Sequence, residues 1–538
     1  MKTIYNKIAI CLAVAGLWSC DNNLDENVYS SITQQSYNYT TSDFWQVIAA
    51  VYPPLRNVVN GVDSYFIPQE VTADAIVMTP NASGWDDGGK YRVMHYQTWN
   101  SEQSHIRVMW NWFYQGVLFA NNIIEQLEAD AIPAPSPTDK QRGMAEVRAM
   151  RAFYYWQICD NFGDAPLVTA RTSDLPEKTS RQEIYNFIVS ELTAVIPELN
   201  EEVGGTMYGR MNKWAAKALL ANVYLNAQVY TGQAHWNECI AQCDELINSG
   251  KLELSPNFKD PFRAHGVETN KEVIFTVPYD KLYAGGNTIH MWTWHTNSKK
   301  TFLTESAPWG DGAARGVSQF VETYDPDDGR LADTWLMGPQ FEADGVTPIM
   351  CEYELRGQQV VYSKDLPDAN YAHEGEGYRM FKYEVEQGTS DNSNTDVPLF
   401  RFSQVLMMKA ECLLRLGQPG AGALVTQVRQ RAFKDKPEKA TVTDDQLKGN
   451  TVYNYGYVED YKIVDPGDQS PVQFGRMYDE LGWEFAWEMF RRRDAIRFGV
   501  YTKKSWLSHK PQGDHRTVFP IPEIAVTSNP NLKQNPSY

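Results

Sequence analysis

Two long stretches of helical periodicity, at about residues 101–250 and 400–500, bracket a middle that lacks it, and this layout limits the fold more than any other feature. From Arg107 onward, Val108, Met109 and Trp110 through Ile123, Ile124 and Leu127 recur at steps of three and four, the repeat of one helix face. The Pro-rich stretch 133–137 reads as the loop that ends this helix. A second helix is expected from about Arg142 to Asn161-Phe162-Gly163, where glycine supplies a C-terminal stop. Others follow at about 181–199, 212–230 and 234–249. The segment 214–224 is rich in alanine and leads to a paired helix at His235-Trp236. Small residues where helices cross, with a large aromatic in the next gap, are the packing of tetratricopeptide-like hairpins. No strict repeat period is present, so the array is degenerate.

The second block opens with a helix over 402–416, turns at Gly417-Gln418-Pro419, continues at about 420–433, and has a final helix from Tyr478 to Phe498. Between the blocks, residues 255–400 hold short apolar runs such as 272–277 separated by Gly, Asn, Asp and Trp. The expected fold is mainly α: a tetratricopeptide-like helical-hairpin scaffold with a loop-rich, short-strand region that carries the ligand-binding residues.

The N-terminus carries Lys2 and Lys7, an apolar run over 8–18, then Ser19-Cys20, which reads as an export signal over residues 1–19. The run has eleven residues, well short of the roughly 18–20 needed to cross a bilayer. A small residue before Cys20 resembles a lipobox, although Trp18 is atypical there. The alternative is ordinary cleavage with an incidental cysteine. Several acyl chains on Cys20 would hold the protein on a membrane. The acidic, polar stretch 21–26 reads as a solvated tether, which gives a lipidated tether over 20–40 and a single domain over 41–538.

The formal charge of −18 disfavours nucleic acid and anionic membrane as partners, and no long basic cluster offsets it. Beyond Cys11 and Cys20, five cysteines remain, an odd number that argues against a disulfide framework in an exported chain. Cys239 and Cys243, four apart on one helix, read as core residues and not as metal ligands. The chain holds 16 Trp, 30 Tyr and 22 Phe, and aromatic faces flanked by Asn and Asp suit sugars, which offer C–H faces ringed by hydroxyls. GxSxG, HExxH, Walker and GxGxxG motifs are absent. No cofactor or metal is expected. The segment 324–330 departs from an EF-hand loop and reads as a turn.

Several segments resemble the SusD/RagB-like glycan-binding lipoprotein family. Residues 146–156 followed by 161–167 look like its signature helix and turn, and 396–411 resembles a second signature. Residues 428–432, 480–488 and 493–499 are similar to further motifs, and 520–523 with 529–538 match the usual ending. The resemblance spans nearly the whole mature chain. It implies a tetratricopeptide-like scaffold, a polysaccharide or oligosaccharide ligand, lipid anchoring to the outer membrane at the cell surface, and delivery to a SusC-like TonB-dependent transporter. It implies binding without catalysis. The rival readings are a surface glycoside hydrolase, which needs two carboxylates about 5–10 Å apart across a cleft, and a peptide-binding member of the same scaffold.

The candidate ligand residues come from three stretches. Gly84-Trp85-Asp86-Asp87, followed by Trp99-Asn100, resembles part of the sugar platform of starch-type members, with the glycines freeing the backbone to expose an indole. Asp86, Asp87 and Asn100 supply hydrogen-bonding groups for hydroxyls. In the middle region, alternation over 290–295 puts Trp292 and Trp294 on one face of any strand, which suits either a stacking strip or a buried face. Trp309 lies between Pro308 and Gly310, and Tyr283 lies beside Gly285-Gly286.

Overall fold

The computed structural model describes residues 38–61, 63–86 and 88–538. The export signal, Cys20, most of the tether and Asp87 lie outside them. Helices α1 (Ser104–Glu128) and α2 (Pro137–Phe162) pack side by side. A side chain at Gly116 of α1 would begin 2.4 Å from the Tyr154 ring of α2, so glycine lets that ring lie against the α1 backbone. Tyr154 Oη then donates to Val51 O at 2.7 Å. Helix α2 starts about five residues earlier than periodicity suggests. Ser136 Oγ accepts from the Asp139 N–H and Pro137 fills the first turn, where no backbone donor is needed. Its end at Gly163, φ 69°, is where the sequence puts it.

Helix α3 (Arg181–Val195) opens on a capping box of Ser180 and Glu183. Helices α4 (Lys213–Leu225) and α5 (Trp236–Asn248) pack on each other, and α6 (Phe402–Leu416) packs on α5. Ala215, Ala216, Ala218 and Ala221 are wholly buried on α4. Cys239 and Cys243 of α5 are interior beside Cys412 of α6, and burial pushes the Cys239 thiol well up. All five described cysteines are free and buried, as core residues should be. Helix α7 (Ala421–Arg429) follows α6.

The expected final helix is broken into α8 (Gly475–Phe485) and α9 (Arg491–Arg497), with Trp487 and Met489 in left-handed backbone between them. The cause is competition for carbonyls. Arg401 Nη2 donates to Glu484 O at 2.8 Å, Lys382 Nζ to Glu484 O and Ala486 O at 2.9 Å each, and Tyr383 Oη to Trp487 O at 3.0 Å. Side chains thus hold carbonyls that a continuing helix would offer to its own amides.

The same break caps a buried ionic network. Glu484 meets Arg431 at 2.6 Å, Arg401 at 2.7 Å and Arg330 at 3.4 Å, and Glu272 bridges Arg401 and Arg431. Burial alone would raise the Glu484 pKa, but Arg431, Arg401 and Arg330 hold it far below the carboxylate range. Such a network joins distant segments in one geometry more than it adds net stability.

Strands are short, in two-stranded pairs apart from one three-stranded sheet. Strand β1 (Ile76–Met78) and β2 (Val273–Val277) find antiparallel partners in β3 (Ala314–Gly316) and β4 (Val397–Arg401) respectively. Strand β5 (Gly456–Glu459) pairs with β6 (Lys462–Asp465) in a hairpin. The β2 run is where the apolar run over 272–277 places it, whereas residues 290–295 form turns and no strand. Among the described residues, no helix is long and apolar enough to cross a membrane.

Candidate functional site

Strands β1 and β3 each run into a loop, and the two loops are locked together. Asn81 is buried, its Nδ2 donates to Gly312 O at 2.9 Å, and its Oδ1 accepts from the N and Oγ of Ser83. Gly310, φ 64°, abuts the same serine, since a Cβ there would sit 2.3 Å from Ser83 Oγ. A third loop joins through an isolated parallel bridge between Asn81 and Ala372, with Ala372 N donating to Pro80 O at 3.0 Å.

These loops carry aromatic rings to the surface. Trp309 is 46% exposed, its backbone N–H donating to Met291 O and its carbonyl accepting from Gly312 N. Trp85 is half-buried and tilted on Tyr91 at 5.4 Å. Tyr371 is 37% exposed and donates to Glu354 Oε2 at 3.1 Å. Glu354 Oε1 accepts from His373 Nδ1 and Glu374 N, both at 2.9 Å. Burial raises the Glu354 pKa, but the Glu374 N–H, His373 and Tyr371 together bring it below the usual value. Asp86 accepts from Gly88 N and Arg92 Nη2, both at 3.1 Å.

Buried ions stiffen the floor. Glu374 accepts from the backbone N–H groups of Glu352, Tyr353 and Leu355 and from His295 Nε2 at 2.9 Å, which fixes the turn that presents Glu354. Asp311 accepts from Arg315 at 2.9 Å and from Arg379 at 3.4 Å. Both guanidinium groups therefore have a buried counter-charge in Asp311. The result is a rigid, partly apolar surface rimmed by acceptors, able to stack a ring and hydrogen-bond its edge.

The structure separates the expected residues into three groups. Trp85, Asp86 and Trp309 stand on the two loops joined at Asn81–Gly312 and Ser83–Gly310. Tyr283, 85% exposed, sits on a different loop, tied to Asn392 and Asn394 through Gly286 N and Lys281 N. Asn100 is exposed and its Oδ1 caps Glu102 N ahead of α1. Trp99, Trp292 and Trp294 are corrections: each is 1% exposed and belongs to the core. Trp99 packs on Phe519 and donates to Tyr538 Oη at 3.0 Å, so it ties the C-terminal residue to the first helical block. Trp292 packs on Phe66, and Trp294 stacks on Phe302 at 4.0 Å and donates to Met380 O at 2.6 Å. Tyr371, Glu354 and His373 were missed. A signal existed, because Tyr371 lies in a polar loop just ahead of Gly375 and Gly377, the setting that singles out Trp85.

The N-terminal part of the chain, residues 23–225, matches the model of a family described as starch-binding and associating with the outer membrane. Residues 271–538 match the SusD family. The starch-binding protein SusD of Bacteroides thetaiotaomicron is 24% identical over 435 residues, 74% of this chain and 73% of that protein. SusD-like protein P25 of Formosa agariphila is 23% identical over 559 residues, 99% of this chain and 98% of that one. Among solved structures, NanU of B. fragilis superposes with a TM-score of 0.71 at 20% identity, over 95% of this chain and 99% of its own. Surface glycan-binding protein A from Bacteroides thetaiotaomicron, in complex with laminarihexaose, gives 0.68 at 19% identity, over 92% and 99%. With both family models in sequence order along the chain and the fold common to these solved structures, the protein belongs to the SusD/RagB-like family.

Proposed function

We propose that this chain captures a polysaccharide or oligosaccharide at the cell surface on the face of Trp85, Trp309 and Tyr371. Acyl chains on Cys20 hold it to the outer membrane, and it passes the glycan uncleaved to a SusC-like TonB-dependent transporter. One observation carries the reading: an exposed Trp309 and a half-buried Trp85 stand on loops locked together by Asn81 and Gly310. Trp309 leaves 46% of its surface open, and an indole in water is a cost that a stacked sugar offsets.

Relatives support the ligand class. One is named a starch-binding protein and one solved neighbour holds laminarihexaose. The family description, association with the outer membrane, supports the location. Chemistry at the face supports binding without turnover, because a glycosidase acid needs a raised pKa, whereas Glu354 is lowered and both its oxygens already accept hydrogen bonds. The test is a panel of insoluble and soluble polysaccharides, including starch and laminarin, assayed for retention of the protein and for new reducing ends. Retention without new ends is expected. Release of reducing ends that stops on changing one carboxylate overturns the reading, as does failure to bind any glycan.

A further inference from the structure

Next to the aromatic face is a cavity of about 310 Å³ between the β5–β6 hairpin and the loop over 364–367. It lies at the low end of the roughly 300–1,000 Å³ typical of small-molecule sites, enough for one or two sugar rings. The hairpin tip, Asp460-Tyr461, holds both residues in left-handed backbone, the mirror turn that fits the strand twist. Tyr461 N is bonded to Pro367 O at 3.3 Å, which fixes the tip over the loop. The Tyr461 ring, 47% exposed, forms one wall.

The other walls are polar and incompletely used. Asn454 is exposed, and it is its backbone carbonyl that Gln319 holds. Glu322 and Asp365 each give one oxygen to Lys364, at 2.6 and 2.9 Å. The lining thus offers donors, acceptors and an aromatic ring, the set that a hydroxylated ring takes, and its two carboxylates outnumber its one cation, Lys462, which disfavours an anion.

A chain of hydrogen bonds connects cavity and face. Tyr461 Oη donates to Glu376 Oε1 at 2.5 Å, Glu376 Oε2 accepts from His373 N at 2.7 Å, and His373 in turn holds Glu354, the partner of Tyr371. We propose that this cavity is a second subsite, continuous with the aromatic face, that takes further neutral sugar residues of the same glycan chain. The inference rests on the glycan reading above and deepens it: the site measures chain length.

The test uses the acid-hydrolysis ladder of whichever neutral polysaccharide the wild type retains, starch and laminarin first, titrated calorimetrically. Wild-type affinity should rise with length until both subsites fill. Tyr461→Ala should lower affinity for the longest oligosaccharides by about tenfold and leave the shortest unchanged, and Asn454→Ala should lose affinity in the same length-dependent way. Tyr461→Phe, which keeps the ring and drops the bond to Glu376, should bind like wild type. Trp309→Ala should weaken short and long alike. Loss in Tyr461→Phe, equal loss at every length in Tyr461→Ala, or no loss at all overturns the second subsite while the glycan reading stands. If only anionic glycans bind, the ligand class assigned to the cavity is wrong. If no glycan binds, both fall.

Discussion

Trp309→Ala and Trp294→Ala should fail in opposite ways. Trp309 keeps 46% of its surface open, and a Trp side chain buries up to about 250 Å², so a stacked sugar has about 100 Å² of indole to cover. At about 25 cal/mol per Å² that contact is worth about 2.5 kcal/mol, so truncation should weaken binding between about tenfold and a hundredfold. The part of the ring packed against its own loops is also lost, but a half-exposed side chain costs well under the roughly 3–5 kcal/mol of a buried Trp. The thermal midpoint should therefore drop by only a few degrees. Trp294, 1% exposed, stacked on Phe302 and bonded to Met380 O, should cost the full roughly 3–5 kcal/mol and show a large fall in midpoint. Titration calorimetry against the retained polysaccharide and thermal melts on both variants decide it. A Trp309→Ala protein that binds like wild type, or a Trp294→Ala protein that melts like wild type, refutes the division of these two rings between face and core.

Cys20→Ala should move the protein from the membrane fraction to the soluble one, checked by palmitate labelling and fractionation; label in the variant or none in the wild type contradicts the anchor. Burial pushes the Glu70 pKa from 4.5 up to about 8, so its protonated form favours the fold fully below pH 4.5, and that contribution is lost as pH rises towards 8. Denaturant midpoints should accordingly show Glu70→Gln gaining on wild type between pH 5 and 8 and holding level above; a constant difference contradicts the burial account. Glu484→Gln should destabilise by about 3–5 kcal/mol, because it strips a shared carboxylate from Arg330, Arg401 and Arg431, and denaturation at pH 7 measures it.

The helical scaffold was legible because its signals are local. Apolar steps of three and four run through α1, and glycine stops stand at Gly163 and Gly417. Boundaries failed where one residue carries two meanings. Pro137 looks like a breaker, yet after Ser136 it starts a helix. The break at Trp487 depends on Lys382, Tyr383 and Arg401, about a hundred residues away in sequence, and no window around residue 487 contains them. At the site, glycine beside tryptophan picked out Trp85 and Trp309. Alternation over 290–295 left a stacking strip and a buried face equally open for Trp292 and Trp294, because Phe66, Phe302 and Met380 decide whether those rings see water. Tyr371 and Glu354 come together only through loops that meet in three dimensions.

The ionic network also sets the order in which this chain acquires its structure. Arg330, Arg401 and Arg431 precede Glu480, Glu484 and Glu488 in the chain, and of their buried acidic partners Glu272 and Asp328 alone come earlier. A polypeptide emerging N-terminus first therefore has Glu272 and Asp328 alone to balance these three guanidinium groups until the segment from residue 475 arrives. Cooperative closure is therefore expected only once the last 64 residues, from residue 475, are available. Truncations ending before residue 475 should accordingly yield protease-sensitive chains and no smaller stable unit.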